Sequence, residues 1–228
     1  SLIHTRLAGE PLAYIIGNKE FYALEFLVTN DVLIPRPETE LLVDIASDHI
    51  MHLCNSYNKA PRVIDICTGS GAIAISLAVN YPEIQVFASD ISAATLKVAK
   101  RNSQVHNMID RIHFIQADML YGISGSFDII VANPPYVPTG VLNTLPTEIH
   151  NEPRIALDGG VDGLDLFRRL LSQCSRSLRP NGILIVELMP EQIAMGITYA
   201  KKTFANYRIE SWDDLGGEKR ALVLSPQI

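Results

Sequence analysis

An α/β fold is predicted for this chain, with a seven-stranded, doubly wound sheet that is mostly parallel and has one antiparallel strand near the C-terminus. Two observations predict it. From about residue 61 onward, short apolar runs alternate with amphipathic stretches, which is typical of strands joined by helices. The last two apolar segments flank Gly216-Gly217, which predicts a hairpin and hence one strand that runs against the others.

The first sixty residues precede this pattern and are predicted to be a lead-in to the main domain. Residues 21–35 predict a β-hairpin with its turn at Asn30-Asp31. Residues 36–54 predict a helix, because Pro37 falls in the first turn and acidic residues follow it at the positive end of the helix.

The elements of the α/β region then follow in regular order. The predicted strands are residues 62–67, 84–90, 112–118, 127–133, 183–188, 207–214 and 219–226. The predicted helices are residues 71–81, 92–106, 162–178 and 191–205, the second of which opens with Ser92 as its N-cap. Pro180-Asn181-Gly182 is predicted as a stop between the third helix and the fifth strand.

Composition narrows the class of protein. With 228 residues, 47% of them hydrophobic, the chain can bury one substantial core. No apolar run approaches the roughly 18 residues of a membrane span, so we expect a soluble protein with no membrane partner.

Three widely spaced cysteines suit a reducing cytoplasm better than a disulfide framework. The net charge of −6 argues against DNA or RNA as the main partner, because phosphate binding needs basic surface.

A pair of histidines, His49 and His52, lies on the predicted lead-in helix close to Cys54, a spacing that superficially suggests a metal site. No fourth ligand follows at a matching spacing. A solvated helix face is therefore favoured, and no metal site is predicted.

A glycine-containing turn connects the first predicted strand to the first helix. Gly69 and Gly71 let the backbone approach a ligand closely, and the helix that follows offers unpaired N–H groups. Asp90 ends the second strand, where a carboxylate can accept hydrogen bonds from a ribose diol. The spacing Gly69-x-Gly71-x-x-Ala74 also satisfies the dinucleotide pattern of NAD enzymes, so the turn alone leaves two kinds of ligand open.

Further residues favour S-adenosylmethionine over a dinucleotide. Asp65 precedes the first glycine, where its carboxylate can reach a methionine ammonium group but would repel a pyrophosphate. Asp118 ends the third strand and can accept from an adenine amino group, with the apolar Met119 against the ring face; alone, it would equally suit a helix cap. These acids, like Asp90, lie at carboxyl strand ends, the edge at which open α/β sheets bind ligands.

The fourth strand runs into Asn133-Pro134-Pro135-Tyr136. Proline favours an extended Asn133, and the proline carbonyls remain free because no strand pairing uses them. We expect Asn133 Oδ1 and the Pro134 carbonyl to accept the two hydrogens of a planar NH2 group, with Tyr136 packed on the attached π-system. This suits methyl transfer to an amide or aromatic amine, whose delocalised nitrogen must be oriented and stabilised as positive charge grows on it. The alternative is an ordinary turn, which Asn-Pro also marks.

Together these segments resemble a known family. The turn from Asp65 to Gly71, with Asp90, Asp118 and Asn133–Tyr136, is similar to class I, Rossmann-like methyltransferases that act on NH2 groups. Two longer segments, "GEPLAYIIGNKEFYALEFLVTNDVLIPRPETELLV" and "EPRIALDGGVDGLDLFRRLL", resemble the protein-(glutamine-N5) methyltransferases of the PrmC/HemK family, which modify peptide chain release factors.

The resemblance implies S-adenosylmethionine as methyl donor, S-adenosylhomocysteine as product, and the glutamine of the release factors' Gly-Gly-Gln motif as acceptor. The expected cofactor contacts, with Asp65 and Asp118 included from the reasoning above, are Asp65, Cys67, Thr68, Gly69, Ser70, Gly71, Asp90, Ile91, Asp118, Met119 and Asn133. The expected substrate contacts are Asn133, Pro134, Pro135 and Tyr136, and the expected catalytic residues are Asn133, Pro134 and Tyr136.

The chain departs from the family at two positions. Glycine is usual where this chain has Cys67, and an aromatic residue is frequent where it has Met119; we expect both changes to be tolerated. The family also carries a helical N-terminal domain. The lead-in, residues 1–60, is therefore expected to be the end of such a domain plus a linker, followed by a methyltransferase domain of residues 61–228.

Rival functions remain at this point. An adenine-N6 DNA or guanine-N2 ribosomal RNA methyltransferase could use the same Asn133–Tyr136 motif, but an acidic chain of this length lacks the expected basic surface. An NAD-dependent oxidoreductase would leave that motif unexplained. A catalytically silent binding module would leave the residues at the cofactor strand ends unexplained.

Overall fold

The computed structural model describes residues 2–56 and 60–227. Its main sheet contains β3 (Arg62–Ile66), β4 (Gln85–Asp90), β5 (Ile112–Gln116), β6 (Phe127–Ala132), β7 (Leu178–Glu187), β8 (Tyr207–Asp213) and β9 (Lys219–Pro226). The strand order is β5-β4-β3-β6-β7-β9-β8. Of these seven strands, β9 runs antiparallel to both of its neighbours, and the other pairs are parallel. The predicted fold class is thus confirmed.

The described residues form eight α-helices, which are α1 (Leu2–Leu7), α2 (Leu12–Ile16), α3 (Glu40–Ser56), α4 (Ala72–Asn80), α5 (Ala93–Val105), α6 (Thr147–His150), α7 (Asp165–Ser177) and α8 (Ile193–Thr203). Of these, α3 and α4 pack on one face of the sheet, and α7 and α8 pack on the other. Short 3-10 turns at Pro37–Thr39 and Pro190–Gln192 lead into α3 and α8. Ser92 caps α5 as predicted, because its Oγ accepts from the backbone N–H of Thr95 at 3.2 Å.

Two apolar cores lie on opposite faces of the sheet, because successive strand residues point to opposite sides. In β6, Ile129 packs into the core formed with α3 and α4, and the next residue, Ile130, packs into the core formed with α7 and α8. The central strands are buried on both faces, so their sequences are continuous apolar runs.

The lead-in hairpin turns at a different place from the one predicted. Strands β1 (Asn18–Phe21) and β2 (Leu24–Leu27) are joined at Tyr22-Ala23, where both residues have positive φ, +52° and +58°. Such a turn normally uses Asn or Gly, so the sequence carried no signal for it. Asn30-Asp31 lies in a separate turn, in which the N–H of Val32 donates to the carbonyl of Thr29 at 3.0 Å.

The predicted stop at Pro180-Asn181-Gly182 lies within β7. The helix before it does end, at Ser177, but the extended backbone resumes at once. Pairing with β6 then shifts, because Phe127 faces Leu178 whereas Ile129 faces Ile183. The proline and glycine therefore interrupt the pairing without ending the strand.

One buried asparagine joins the lead-in hairpin to the α/β domain by hydrogen bonds. Asn102, in α5, accepts from the N–H of Leu27 at 2.7 Å and donates to the carbonyl of Leu27 at 3.0 Å. Its side-chain NH2 also donates to the carbonyl of Ser70 at 2.8 Å. The hairpin, α5 and the glycine turn are thus joined at a single side chain.

Candidate active site

A cleft opens at the carboxyl edge of the sheet, where β3, β4, β5 and β6 end side by side, and it holds about 1080 Å³ of empty space including its mouth. Ten of the residues predicted for the site line it: Cys67, Thr68, Gly69, Ser70, Asp90, Ile91, Asp118, Met119, Asn133 and Pro135. The other four, Asp65, Gly71, Pro134 and Tyr136, do not line the cleft but lie within two residues of the lining in the chain.

The glycine turn needs glycine for two different reasons. Gly69 has a φ of +57° and faces open space, so it supplies backbone freedom beside the cleft. Gly71 has a φ of +85°, and a Cβ there would lie 2.9 Å from Cδ1 of Ile75 and 3.3 Å from Cβ of Ala99. Cys67 also has a positive φ, +58°, a conformation in which a Cβ is disfavoured and a glycine would be unstrained.

Asp65 lies beneath this turn and is only 1% exposed. Its Oδ2 accepts from Thr68 Oγ1 at 2.6 Å and from the N–H of Ala74 at 3.2 Å. Its Oδ1 is buried without a partner among the described residues. Burial raises the pKa of Asp65 to about 7, although the two hydrogen bonds oppose that rise. An unpartnered buried oxygen of this kind is suited to a cationic ligand group.

The two other strand-end acids differ in their surroundings. Asp90 accepts from the N–H of Gly69 at 3.1 Å and of Ser92 at 3.0 Å, so its carboxylate is fixed at the cleft wall. Burial raises the pKa of Asp90, and these hydrogen bonds oppose the rise. Asp118 is half-exposed and pairs with Arg169, another cleft residue that the sequence did not single out.

Asn133 follows β6 and faces the cleft. Its Nδ2 donates to Thr39 Oγ1 at 3.1 Å. Among the described residues no donor reaches Asn133 Oδ1 or the carbonyl of Pro134, a buried residue between two that line the cleft. These are the two acceptors that the sequence predicts for a planar NH2 group.

The tyrosine of the motif is fixed by the core. Tyr136 Oη donates to Glu187 Oε1 at 3.0 Å, and Gln192 Nε2 donates to the carbonyl of Tyr136 at 2.7 Å. Gly159 and Gly163 lie against its backbone; a Cβ on Gly159 would be 2.7 Å from the Tyr136 Cα. Burial raises the pKa of Tyr136, and the adjacent Glu187 raises it further. The loop therefore has little freedom to move.

Two polar residues of this network were missed in the sequence. Glu187 ends β7, is 1% exposed, and accepts from Thr39 Oγ1 at 2.6 Å as well as from Tyr136. An acid within the apolar run of residues 183–188 was a signal that could have been used. Thr39, in the turn before α3, carried no comparable signal.

The lead-in supplies a cation to the cleft. Arg36 lines it and forms an ion pair with Glu152, which is 5% exposed. The other oxygen of Glu152 accepts from the N–H of Ile34 at 3.0 Å. This pair holds the segment before α3 against the loop that follows the Asn133 motif.

Across residues 2–56 and 60–227, no three His, Cys, Asp or Glu side chains cluster in a way that could hold a metal ion. Within the same residues, every helix is too short or too polar to cross a bilayer.

The chain is similar to known proteins over most of its length. The methyltransferase small domain family matches residues 40–209. The chain is 46% identical over 191 residues to the release factor glutamine methyltransferase of Moorella thermoacetica, covering 83% of this chain and 66% of that protein. It is 39% identical over 224 residues to the protein of the same name from Rhodopirellula baltica, covering 97% of this chain and 75% of that one.

A solved structure confirms the architecture. A methyltransferase from Pyrococcus furiosus superimposes with a TM-score of 0.64 over 99% of this chain and 98% of that one, at 17% identity. At that identity the likeness concerns the fold alone. The chain spans about two thirds to three quarters of the length of the two curated relatives described above.

Proposed function

The chain belongs to the family of release factor glutamine methyltransferases, and we propose that it methylates the side-chain amide nitrogen (N5) of the glutamine in the Gly-Gly-Gln motif of peptide chain release factors. The methyl donor in this proposal is S-adenosylmethionine, and the product is S-adenosylhomocysteine. Release factors act in translation, so a cytoplasmic location follows from this substrate.

The observation that carries the proposal is Asn133, which lines the cleft with its Oδ1 unpaired among the described residues and is followed directly by the unpaired carbonyl of Pro134. An amide nitrogen is a poor nucleophile because its lone pair is delocalised into the carbonyl. Two fixed acceptors hold both of its hydrogens, orient the nitrogen, and stabilise the positive charge that develops as it attacks. Neither acceptor has to remove a proton before the attack, since the methylated nitrogen becomes acidic and loses its proton afterwards.

The residues at and after the ends of β3, β4 and β5 have the chemistry that S-adenosylmethionine requires. The unpartnered Oδ1 of Asp65 suits an ammonium group, and the fixed carboxylate of Asp90 suits a ribose diol. Ile91 and Met119 offer apolar surface for an adenine ring, and Asp118 can accept from its amino group. When bound, S-adenosylmethionine supplies a methyl group on a positively charged sulfur.

Tyr136 is assigned a supporting part in this proposal. Its hydroxyl donates to buried Glu187, so the ring is held by the core, whereas Asn133 and Pro135 of the same motif line the cleft. We propose that Pro135 and Tyr136 shape the pocket for the acceptor amide. A nucleic acid substrate is disfavoured by the net charge of −6.

The test is methyl transfer from radiolabelled S-adenosylmethionine to a purified release factor, beside the factor's Gln→Ala variant at the Gly-Gly-Gln motif. DNA and ribosomal RNA are assayed in parallel, as is the Asn133→Ala enzyme. We expect label on the wild-type factor alone, with a loss of roughly 100-fold or more in Asn133→Ala. Label on DNA or RNA instead would overturn the substrate assignment and leave the cofactor assignment in place.

A further inference from the structure

The chemistry of one buried network determines which way the Asn133 amide faces. Glu187 lies at the end of β7 and is almost fully buried. Its two oxygens accept from hydroxyl groups in two different segments: Thr39 Oγ1 donates at 2.6 Å and Tyr136 Oη at 3.0 Å. Thr39 in turn lies 3.1 Å from Asn133 Nδ2. The network therefore connects the lead-in, the loop after β6 and the end of β7.

When Glu187 is ionised and accepts both hydroxyl protons, the number of donors available fixes the direction of each hydrogen bond. An ionised carboxylate only accepts, and a threonine hydroxyl has a single proton to donate. Because that proton is directed to Glu187, Thr39 Oγ1 can only accept from Asn133. Of the two ends of the Asn133 amide, only the NH2 group can donate. The amide is consequently oriented with Nδ2 toward Thr39 and Oδ1 away from it.

This orientation matters because the two ends of an asparagine amide have nearly the same shape. A flipped Asn133 would fit the same space but would present NH2 to the NH2 group of the acceptor. Two donors would then face each other. Of the two proposed acceptors, Asn133 Oδ1 and the Pro134 carbonyl, the first would be lost. Packing alone discriminates weakly between these two states, whereas the Glu187–Thr39 pair discriminates by hydrogen bonding.

A buried acid at this position is costly if its role is only to pack. Among the described residues Glu187 has no ion-pair partner within 4.0 Å, so its charge is met by the two hydroxyl groups and by the more distant Arg220. Burial raises the pKa of Glu187, and the hydrogen bonds from Thr39 and Tyr136 oppose that rise. An apolar side chain would pack there without this penalty.

We propose that Glu187 and Thr39 are positioning residues that set the orientation of the Asn133 amide and so keep Oδ1 facing the acceptor NH2 group. The inference rests on the proposed function for its catalytic meaning. The orientation itself can be measured without any turnover.

The test compares Thr39→Val, Thr39→Ser and Glu187→Gln with wild type, and uses Thr198→Val on the exposed face of α8 as a matched control. We expect Thr39→Val to lower kcat about 10- to 100-fold. The affinity for S-adenosylhomocysteine should fall much less than kcat, because Thr39 is not one of the expected cofactor contacts and acts through the orientation of Asn133. Thr39→Ser restores the hydroxyl and should recover kcat to within about threefold.

Glu187→Gln should lower kcat as well, because a glutamine NH2 can donate to Thr39 and free its hydroxyl to bond the Asn133 oxygen. Unchanged kcat in both Thr39→Val and Glu187→Gln would overturn the inference. So would equal losses of kcat, cofactor affinity and melting temperature in Thr39→Val and Thr39→Ser, since that pattern indicates a structural role.

A second measurement separates this inference from the proposed function. In 15N-labelled protein the Asn133 side-chain NH2 signal, assigned through Asn133→Asp, should be protected from hydrogen exchange and should lose that protection in Thr39→Val. If wild type fails to label release factors, the proposed function fails, and this exchange measurement still decides the inference. Unprotected NH2 protons in wild type would contradict it.

Discussion

Thr68 Oγ1 donates a 2.6 Å hydrogen bond to Oδ2 of Asp65, and this contact closes the glycine turn over a carboxyl group that is 1% exposed. The other oxygen of Asp65 has no partner in the described part of the chain. Because burial raises the pKa of Asp65 to about 7, the carboxyl group beneath the glycine turn changes its charge near neutral pH.

The stability of the free protein should depend on pH through Asp65. The pKa of this carboxyl is raised from 3.8 to about 7, so the folded protein binds the proton more tightly than the unfolded chain does. Its stabilising contribution is therefore complete below about pH 4 and is lost as the pH rises through 7, by at most about 1.4 kcal/mol per pH unit. Urea unfolding of wild type and Asp65→Asn between pH 5 and 8 checks this. Parallel pH profiles for the two proteins would contradict it.

Cofactor binding should release a proton near neutral pH. An ammonium group beside Asp65 favours the ionised carboxylate, so binding lowers its pKa and the affinity for S-adenosylhomocysteine should increase as the pH rises toward 7.5. Calorimetric titration at pH 6.5 in buffers of different ionisation enthalpy measures the released protons, and we expect up to about one per site. Asp65→Asn should bind more weakly and release none. Equal proton release by the variant would rule out Asp65 as the source.

Gly71→Ala should lower the free energy of unfolding more than Gly217→Ala does. The added Cβ meets Ile75 at 2.9 Å in addition to the strain of a φ of +85°. Gly217 has nearly the same φ, +81°, in the turn before β9, but nothing lies within 4 Å of the position its Cβ would take. We expect Gly217→Ala to cost about 1 kcal/mol and Gly71→Ala about 1–3 kcal/mol more. Thermal unfolding and S-adenosylhomocysteine binding measure both, and only Gly71→Ala should weaken binding.

Cys67 can be tested for the strain that its backbone indicates. At a φ of +58° any Cβ is disfavoured, so Cys67→Gly should be more stable than Cys67→Ala by about 1 kcal/mol. Comparing two variants that both lack the thiol removes the effect of the sulfur. Urea unfolding of both gives the difference in the free energy of unfolding. A more stable alanine variant would show that the turn relaxes when the thiol is removed.

Most of the fold was predictable because its elements are periodic and ordered. The alternation of apolar runs and amphipathic segments gave each strand of the main sheet, and Ser92 gave the start of α5. The lead-in hairpin turn was not predictable, because Tyr22 and Ala23 adopt positive φ without the residues that usually permit it. The strand β7 was truncated in the prediction because proline and glycine normally end strands, whereas here they only shift the register.

The sequence predicted those residues of the candidate site that lie at the ends of strands. Asp90, Asp118 and Asn133 could be placed at one edge because parallel strands end together, and the structure brings them to one cleft. The contact between Thr39 and Glu187 joins residues 148 positions apart in the chain. No local pattern encodes such a pairing, since it depends on where the lead-in packs against the end of β7.

The position of Thr39 in the lead-in has a consequence for chimeric proteins. Asn133 belongs to the α/β domain, but the side chain that receives its hydrogen bond comes from before residue 60, as does Arg36 in the cleft wall. Grafting residues 61–228 of this chain onto a relative's lead-in would replace Thr39 but keep Glu187 and Asn133, and it would leave the sheet and the glycine turn intact. The lead-in and the α/β domain therefore have to be transferred together, because recombination at residue 60 would separate Thr39 from Asn133.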